Sequence, residues 1–503
     1  MKMKLLYLFM VLIFAGCTKP VRVTGVIDDV PGIFPDYRDV TIPENIAPLN
    51  FKLSGGDYSA GSVLFLESGH RKTTVKGRKG SFDIPRTEWR DLLKEAKGGS
   101  LKVTVCVKNG NEWKSYRPFY WHVANEPVDP YIAYRLIDPG YTLWNEMGIY
   151  QRQLDCYRQS AVIENKMTGG NCMNCHSFCN RDPDRMLFHM RKTYPGTYIT
   201  DGERIEKLNT KTGHTVSALV YPSWHPSGKY VAFTVNDTKQ AFHMNDPNRI
   251  EVFDLASDVV VYDVERKELI TSQHLFSEQR YETFATFSPD GRTLYFCTAG
   301  IQELPDGFEK VKYSLCSIPF DPGRGTFGET VDTLHNAGVT GKSASLPRVS
   351  PDGKFLLYTL SSYGNFFIWH NDADLYLINL ETNACSPLHE ANSEYAESYH
   401  SWSSNSRWIV FSSRRTDGLY TQPYFSYIDE NGKARKPFLL PQKDTEHYRK
   451  CMKSYNIPEF VNGRIRVTSA AIVAVAKNSK GVDIKFSGGN RFPLPKPADE
   501  IAH

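Results

Sequence analysis

The residues with the clearest chemical potential stand in one short run, Cys172-Met173-Asn174-Cys175-His176. Its spacing is C-x-x-C-H, the attachment pattern of c-type haem, in which two thiols form thioethers with the porphyrin and the histidine ligates iron. Two residues between the cysteines let one helical turn present both sulfur atoms, and the adjacent imidazole then points at the metal. The pattern predicts covalent haem c on Cys172 and Cys175, with His176 as an axial iron ligand.

Other metal or redox chemistry could use the same cysteines. Addition of Cys179 gives C-x2-C-H-x2-C, which could begin a zinc or iron–sulfur site, but no second cysteine pair follows at ligand spacing. A redox-active C-x-x-C of the thioredoxin type requires a strand–helix–strand context, which this stretch lacks. Haem c is therefore the favoured interpretation. Cys156 and Cys179, which flank the motif, either form a disulfide outside the cytoplasm or are buried singly.

The second axial ligand has several candidates. His189 lies thirteen residues after His176, in a short amphipathic stretch that could fold over the opposite haem face. Both bis-histidine and histidine–methionine ligation occur in haem c proteins. We expect His189 to complete a six-coordinate iron. The competing ligands are Met167, Met186, Met190, His225 and His400.

The C-terminal half contains a repeated strand–turn–strand pattern. Its four copies begin at positions 224, 287, 349 and 402, so they are 53 to 63 residues apart, and most centre on a Pro-Asp-Gly type of turn. Each copy is followed by a further strand with alternating apolar and polar residues. A four-stranded unit of this kind cannot bury both of its faces alone, so the units are expected to close into a ring.

These repeats resemble those of TolB-like β-propellers over about residues 196–490. The resemblance implies six blades, whereas the repeat period over that span favours five. It implies a fold and not a function, because propellers serve both as binding platforms and as enzymes. Residues 203–213 are interpreted as the outer strands of a blade whose inner strands come from residues 460–475, so that the two ends of the propeller close the ring.

The region before the propeller divides into two parts. Residues 21–123 alternate apolar and polar side chains around one short helix at about 87–96, which predicts an immunoglobulin-like β-sandwich that serves as a spacer. From Glu126 the pattern becomes helical and aromatic, and we expect a short helical segment whose aromatic residues cover the haem. The predicted organisation is leader 1–16, tether and sandwich 17–125, helical haem segment 126–195, propeller 196–490 and tail 491–503, in a mainly β protein.

The first residues resemble a bacterial lipoprotein signal. Lys2 and Lys4 precede an apolar run, Leu5–Ala15, which is too short to span a membrane, and the sequence FAGC ends at Cys17. The resemblance implies that Cys17 is acylated and becomes the first residue of the mature protein. We therefore expect a lipid-anchored protein of the cell envelope. The periplasmic side of the outer membrane is favoured, with the cell surface as the alternative.

Composition and charge restrict the function further. The 503 residues are 41% hydrophobic and 13% aromatic, which is typical of a folded, strand-rich protein. The formal net charge of +4 is spread along the chain, so a nucleic-acid partner is not expected. Hydrolase motifs such as G-x-S-x-G and H-E-x-x-H are missing from the sequence.

Three classes of function fit these patterns. The favoured class is a haem c electron relay whose propeller docks an envelope protein, a redox partner or a ligand, without bond-making chemistry of its own. The second is a binding module that recognises a peptide, a glycan or an envelope protein and in which the haem is structural. The third is an oxidoreductase with an open iron site.

The anchor can be tested directly. Replacement Cys17→Ser removes the thiol that would be acylated, so the variant should move from the membrane fraction to the soluble fraction, as measured by fractionation and immunoblotting. The neighbouring change Thr18→Ser keeps the cysteine and should leave the protein with the membranes. A wild-type protein found wholly in the soluble fraction would contradict the prediction.

Overall fold

The structure, a computed structural model, describes residues 21–138 and 146–487. The leader, Cys17 and the tail 491–503 lie outside these ranges. Within them the chain consists mainly of strands, which confirms the predicted fold class. None of the described helices is both long enough and apolar enough to cross a membrane.

Six antiparallel sheets form the blades of a propeller. The innermost strand of each blade packs against the innermost strands of its two neighbours, which closes the ring. Of the two predicted blade numbers, the structure has six. From the inside outwards, blade 1 contains Ser454–Val461, Tyr131–Ile137, Met147–Gln153 and Gln159–Glu164, and blade 2 contains Met173–Phe178, Met186–Met190, Gly196–Asp201 and Arg204–Asn209. Blade 3 contains Val220–Trp224, Tyr230–Phe242, Ile250–Asp263 and Glu268–Ile270, and blade 4 contains Arg280–Phe287, Thr293–Gly300 and Ser314–Asp321, with Thr326–Phe327 and Asp332–His335 outermost. Blade 5 contains Ser343–Val349, Phe355–Ser361, Asp374–Asn379 and Cys385–Pro387, and blade 6 contains Glu397–Trp402, Trp408–Ser413, Gln422–Tyr427 and Phe438–Leu439.

Blade 1 joins the two ends of the propeller. Its innermost strand, Ser454–Val461, pairs antiparallel with Tyr131–Ile137, and Ile132 lies opposite Phe460. The ring therefore begins near residue 131 and not near 196, and the segment 126–195 forms strands instead of the expected helices. The sequence pattern was ambiguous because these strands are buried on both faces, which removes the alternation that distinguishes a strand from a helix.

The ends meet in a different blade from the one expected. The outer strand Arg204–Asn209 belongs to blade 2, whose inner strands lie directly before it in the sequence. Residues 460–475 were expected to supply the inner strands of that blade, but Phe460 and Val461 end the innermost strand of blade 1, and the stretch then enters a helix, Ser469–Asn478. Two short strands near the C-terminus, Val482–Asp483 and Lys485–Phe486, pair in parallel with the outer strands of blades 2 and 3.

Every innermost strand contains one bulged residue with a positive φ between 45° and 57°. At each bulge the pairing with the next strand of the blade shifts register, as expected for an extra residue in one strand. Rings from neighbouring blades meet there, with centroids of Tyr221 and Phe284 4.4 Å apart. We call the six residues the axial plug: Cys175, Tyr221, Phe284, Leu346, Tyr399 and Ile457.

The predicted turns follow the innermost strands. In blade 4, Ser288 Oγ donates to Asp290 Oδ1 (2.5 Å), and Gly291, with φ +71°, donates its N–H to the Ser288 carbonyl (2.9 Å). Ser350 and Asp352 repeat the contact in blade 5 (2.6 Å). Serine, aspartate and glycine are thus used for local hydrogen bonds and a left-handed backbone.

The N-terminal domain consists of two packed sheets and one helix, Arg86–Ala96. Phe51 of the smaller sheet contacts Trp121 of the larger one edge-on, with ring centroids 6.4 Å apart. The strands of the larger sheet are Val23–Ile27, Thr41–Ile42, Ser62–Ser68, Arg71–Gly77, Ser100–Asn109, Glu112–Tyr116 and Phe119–Val123, and those of the smaller sheet are Ile33–Phe34, Phe51–Leu53 and Ser81–Phe82.

This domain shares one hydrophobic core with blade 6. Trp408 is fully buried there, and its Nε1 donates to the carbonyl of Glu126 in the connection between the two domains (3.0 Å). Asp129 accepts hydrogen bonds from the N–H and hydroxyl of Ser404 (2.8 and 2.5 Å). The remaining short helices are Asn165–Thr168, Cys179–Arg181, Phe308–Lys310, Ala337–Thr340, Phe367–Trp369 and His447–Lys450.

The shared core predicts that Trp408→Ala destabilises the protein strongly. Loss of a buried tryptophan leaves a cavity and costs about 3–5 kcal/mol of unfolding free energy. Urea unfolding followed by circular dichroism measures the change. The control Phe242→Ala, at a side chain that is 55% exposed, should change stability by less than about 0.5 kcal/mol. Similar decreases in the free energy of unfolding of the two variants would show that the contact between the N-terminal domain and blade 6 contributes little to stability.

Candidate functional site

The C-x-x-C-H motif lies on the innermost strand of blade 2, with Cys172 directly before Met173–Phe178. Burial of its three side chains is nearly complete: Cys172, Cys175 and His176 are 4%, 3% and 2% exposed. Haem c is a large, flat group that is bonded to both thiols and to the imidazole at the same time. The three side chains would therefore have to lie along one open surface. Their surroundings therefore decide whether the cofactor fits.

The three side chains face three different environments. Cys172 packs in the apolar cluster between blades 1 and 2, together with Met147 and Ile163. Cys175 belongs to the axial plug, and burial raises the pKa of its thiol. His176 lies beside the backbone of Ala133, in blade 1, and burial lowers the pKa of its imidazole to about 3. The motif thus does not present its ligands to a common space.

His189 lies on the opposite face of blade 2 from His176. Its Nδ1 is 2.8 Å from Thr197 Oγ1, and its ring packs against Phe233 of blade 3, with centroids 5.8 Å apart. Burial lowers the pKa of this imidazole to about 3. His176 and His189 therefore face different neighbouring blades, and the structure does not bring them together around one iron.

The other ligand candidates are also dispersed. Met186 and Met190 lie in the apolar cluster between blades 1 and 2, and Met167 is 38% exposed on a short helix. His225 Nε2 is 3.0 Å from the Gly291 carbonyl, and His400 Nε2 is 3.1 Å from the Leu357 carbonyl. Both histidines therefore have hydrogen-bonding roles between blades.

We conclude that the motif in this fold does not fit haem c. Across residues 21–138 and 146–487, no three histidine, cysteine, aspartate or glutamate side chains lie close enough to hold a metal ion. The described cysteines are all free thiols, so Cys156 and Cys179 are not bridged. Cys179 packs between blades 2 and 3, whereas Cys156 lies near the Gln153 carbonyl in blade 1.

The motif is also one copy of the propeller repeat. Starting at each plug residue, the innermost strands read CHSF, YPSW, FATF, LPRV, YHSW and IPEF in blades 2, 3, 4, 5, 6 and 1. His176 therefore occupies the same position as His400 and as three prolines. The repetition accounts for the burial of Cys175 and His176, since the equivalent residues of blade 6, Tyr399 and His400, lie in the axial plug and against the Leu357 carbonyl of blade 5.

The structure reveals a cavity on the ring axis, above the plug, which we call the axial mouth. Its volume is about 260 Å³. The third residues of the six repeats are Ser177, Ser223, Thr286, Arg348, Ser401 and Glu459, and five of them, all except Thr286, line the cavity. Thr286 instead lies 3.1 Å from Ser223, hydroxyl to hydroxyl.

Three charged side chains lie in the axial mouth. Burial lowers the pKa of Arg348 and Arg181, and burial raises the pKa of Glu459 to about 8, while the two guanidinium groups act in the opposite direction on the carboxyl. Glu459 Oε2 and Ser401 Oγ are buried and have no hydrogen-bond partner among the described residues. Buried polar groups without a partner are costly, so the axial mouth is a candidate binding site.

The aromatic walls of the axial mouth are held by the backbone. Trp224 Nε1 donates to the Ser177 carbonyl (3.4 Å), and Trp402 Nε1 donates to the Arg348 carbonyl (3.1 Å). The two indoles are 9% and 3% exposed. They shape the cavity by their edges, because little of either ring face is open to a ligand.

A larger cavity of about 650 Å³ lies between the N-terminal domain and blade 6. Two of its lining side chains make contacts between the domains or with their connection: Lys436 Nζ contacts Asp36 Oδ2 (3.0 Å), and the Tyr427 hydroxyl donates to Glu126 (3.0 Å). These contacts join the two domains, so we assign this cavity a structural role.

A buried serine, histidine and glutamate also lie together near the long hairpin of blade 3. His370 is 3.0 Å from Glu251 through Nε2 and 3.1 Å from Ser361 through Nδ1. Ser361 Oγ, however, donates to Asp372 (2.7 Å), and all of its side chain is buried. A nucleophile must be accessible to its substrate, so this network fastens the hairpin to blade 5.

Strand pairing and cavity together define a six-bladed β-propeller with a cavity on its axis that is lined by ionisable side chains. No protein-family model matches the chain, and no curated protein does. Solved structures with similarity include prolyl oligopeptidase B from Galerina marginata, at 11% identity over 58% of this chain and 40% of that one, with a TM-score of 0.34. This chain thus spans about two fifths of that enzyme.

Two proteins from Bacteroides species are also similar. A DUF4784 family protein from Bacteroides caccae is 7% identical over 71% of this chain and 94% of that one, with a TM-score of 0.28. A dipeptidyl aminopeptidase IV from Bacteroides ovatus, described as putative, is 10% identical over 63% and 59%, with a TM-score of 0.25. These scores are too low to carry an argument about activity, and the six blades are established by the strand pairing itself.

Thiol accessibility tests the assignment of the motif. In reduced, folded protein, a maleimide reagent should label the exposed Cys385 rapidly and should label Cys172 and Cys175 only after unfolding in urea, because both are buried. Peptide mass spectrometry identifies the labelled sites. Protein from a host that matures haem c is the sample to use. Haem on these cysteines would keep both unreactive even in urea and would add the haem mass to their peptide, which would contradict the structure.

Proposed function

We propose that this chain is a lipid-anchored protein of the cell envelope whose propeller binds a peptide segment in the axial mouth. The observation that carries the proposal is the combination, in one cavity on the ring axis, of Arg348, Glu459 and the unpartnered hydroxyl of Ser401. The leader that ends at Cys17 supports the location.

A peptide fits this cavity better than a glycan does. Sugar recognition commonly uses the open face of an aromatic ring, whereas Trp224 and Trp402 are nearly buried. The polar groups of the mouth are charged side chains and hydroxyls, which recognise the ionic and amide groups of a peptide. The partner would be an envelope protein or a peptide derived from one.

The electron-relay function lacks support in the folded protein. The residues that would hold haem c are buried in three different places, and His189 faces away from His176. We therefore favour the binding function, in which the C-x-x-C-H motif contributes packing around the ring axis.

Filling of the cavity tests the binding function. The purified protein is first screened on an array of immobilised hexapeptides, and binding peptides are then measured by calorimetry. Ser177→Phe places a bulky ring in the mouth and should weaken binding at least about tenfold, whereas Ser59→Phe, at an exposed position of the N-terminal domain, should not.

A second variant protects this test against misfolding. Ser401→Leu adds less volume, in the part of the mouth that blade 6 contributes, and circular dichroism with thermal melting shows whether each variant is folded. Peptides that bind both folded mouth variants as tightly as the wild type would place the binding surface elsewhere. An array without any binding peptide would contradict the proposed function.

A further inference from the structure

We propose that the axial mouth recognises the C-terminal carboxylate of a peptide, with Arg348 and Arg181 as its cationic partners. This inference rests on the proposed function and specifies its ligand. Two guanidinium groups converge on one small cavity of about 260 Å³. Arginine pairs readily with carboxylates, because its planar N–H groups match the two oxygen atoms.

Both guanidinium groups retain unused donors. Among the described residues, the side chain of Arg348 donates only to the backbone carbonyl of Pro347 (3.0 Å), and Arg181 Nε donates to the carbonyl of Trp402 (2.9 Å). Neither arginine forms an ion pair within 4.0 Å with a carboxylate of the described residues. Both side chains are half-buried and partly desolvated, which is costly for a charge without an anionic partner, and a bound carboxylate would supply that partner.

Glu459 sets the charge balance of the mouth. Arg348 and Arg181 both interact electrostatically with this carboxyl, and they also interact with Tyr399 and Asp129, respectively. Burial raises the pKa of Glu459 to about 8, so near pH 7 its carboxyl is largely protonated. The mouth then carries the two positive charges of the arginines and can donate a further hydrogen bond from Glu459.

The shape of the axial mouth favours binding of the end of a peptide chain over binding of its middle. The axial plug lies two residues deeper on each innermost strand and includes the bulky side chains of Tyr221, Phe284 and Tyr399. A polymer therefore cannot pass through the ring and must enter end-on. The volume accommodates one or two residues, and the prolines and aromatic edges of the walls suit apolar side chains.

Matched peptides provide the test. A library of N-acetylated tripeptides is synthesised once with free C-terminal carboxyl groups and once with amides, and each form is titrated into the full chain. We expect the acids to bind at least about tenfold more tightly than the amides, as for a charge-assisted hydrogen bond that is lost. Arg348→Gln and Arg181→Gln should each remove this preference, while Arg90→Gln, on the exposed face of the N-terminal helix, should preserve it.

The pH dependence gives an independent readout. As the pH rises through about 8, Glu459 loses its proton and competes with the ligand carboxylate for the arginines, so the affinity for the acids should fall. Glu459→Gln keeps the shape and cannot ionise, so it should bind the acids with little change between pH 6 and 9. The exposed control Glu88→Gln should retain the wild-type profile.

The outcomes separate this inference from the proposed function. Acids and amides that bind equally, with both forms weakened by Ser177→Phe, would overturn carboxylate recognition and leave the peptide-binding function intact. Failure of both forms to bind would overturn the two together. Preferential binding of uronic-acid oligosaccharides by the same arginines would show that the ligand is a glycan and would overturn the assignment to a peptide terminus.

Discussion

The pairing of Ser454–Val461 with Tyr131–Ile137 is the contact on which the rest of the structure depends. It joins segments more than three hundred residues apart in the sequence and converts a row of blades into a closed ring. The entropic cost of such a closure grows only slowly with the length of the loop, while each blade gains a neighbour on both faces. The position of the axial mouth follows, since its lining comes from all the innermost strands.

Closure of the ring also explains which blades could be predicted from the sequence and which could not. The four repeats between residues 224 and 411 follow serine, proline, aspartate and glycine turns, whose chemistry is local, and the structure has them where the pattern predicts. Blades 1 and 2 lack this turn sequence, and their strands are buried on both faces, so the periodicity of residues 131–190 resembled that of a helix. Only the strand pairing identifies them as blades.

The C-x-x-C-H run shows a second limit of sequence motifs. Its spacing matches haem attachment, but the four residues that begin at its second cysteine, CHSF, align with YHSW of blade 6 and YPSW of blade 3 and share their serine and an aromatic residue after it. That alignment was present in the sequence and could have indicated that Cys175 and His176 belong to an innermost strand. The charged pair Arg348 and Glu459 was hidden in the same way, because the relevant comparison is between equivalent positions of blades that are far apart in the chain. In this nearly symmetric ring, four blades have a serine or threonine at the third position of the repeat. The two blades that differ there supply Arg348 and Glu459, the groups that could bind a ligand.

The six residues of the axial plug raise the free energy of the native state through backbone strain. None of them is glycine, although each has a backbone conformation that glycine adopts without strain, and a non-glycine residue there costs of order 1–3 kcal/mol. The native state is thus locally frustrated at the same point in all six blades, and packing of the side chains along the axis must outweigh that strain. Glycine at Tyr221 or Ile457 would relax the backbone and at the same time remove a packing side chain from the ring axis. At the centre of the ring, backbone relaxation and side-chain packing are therefore in direct conflict.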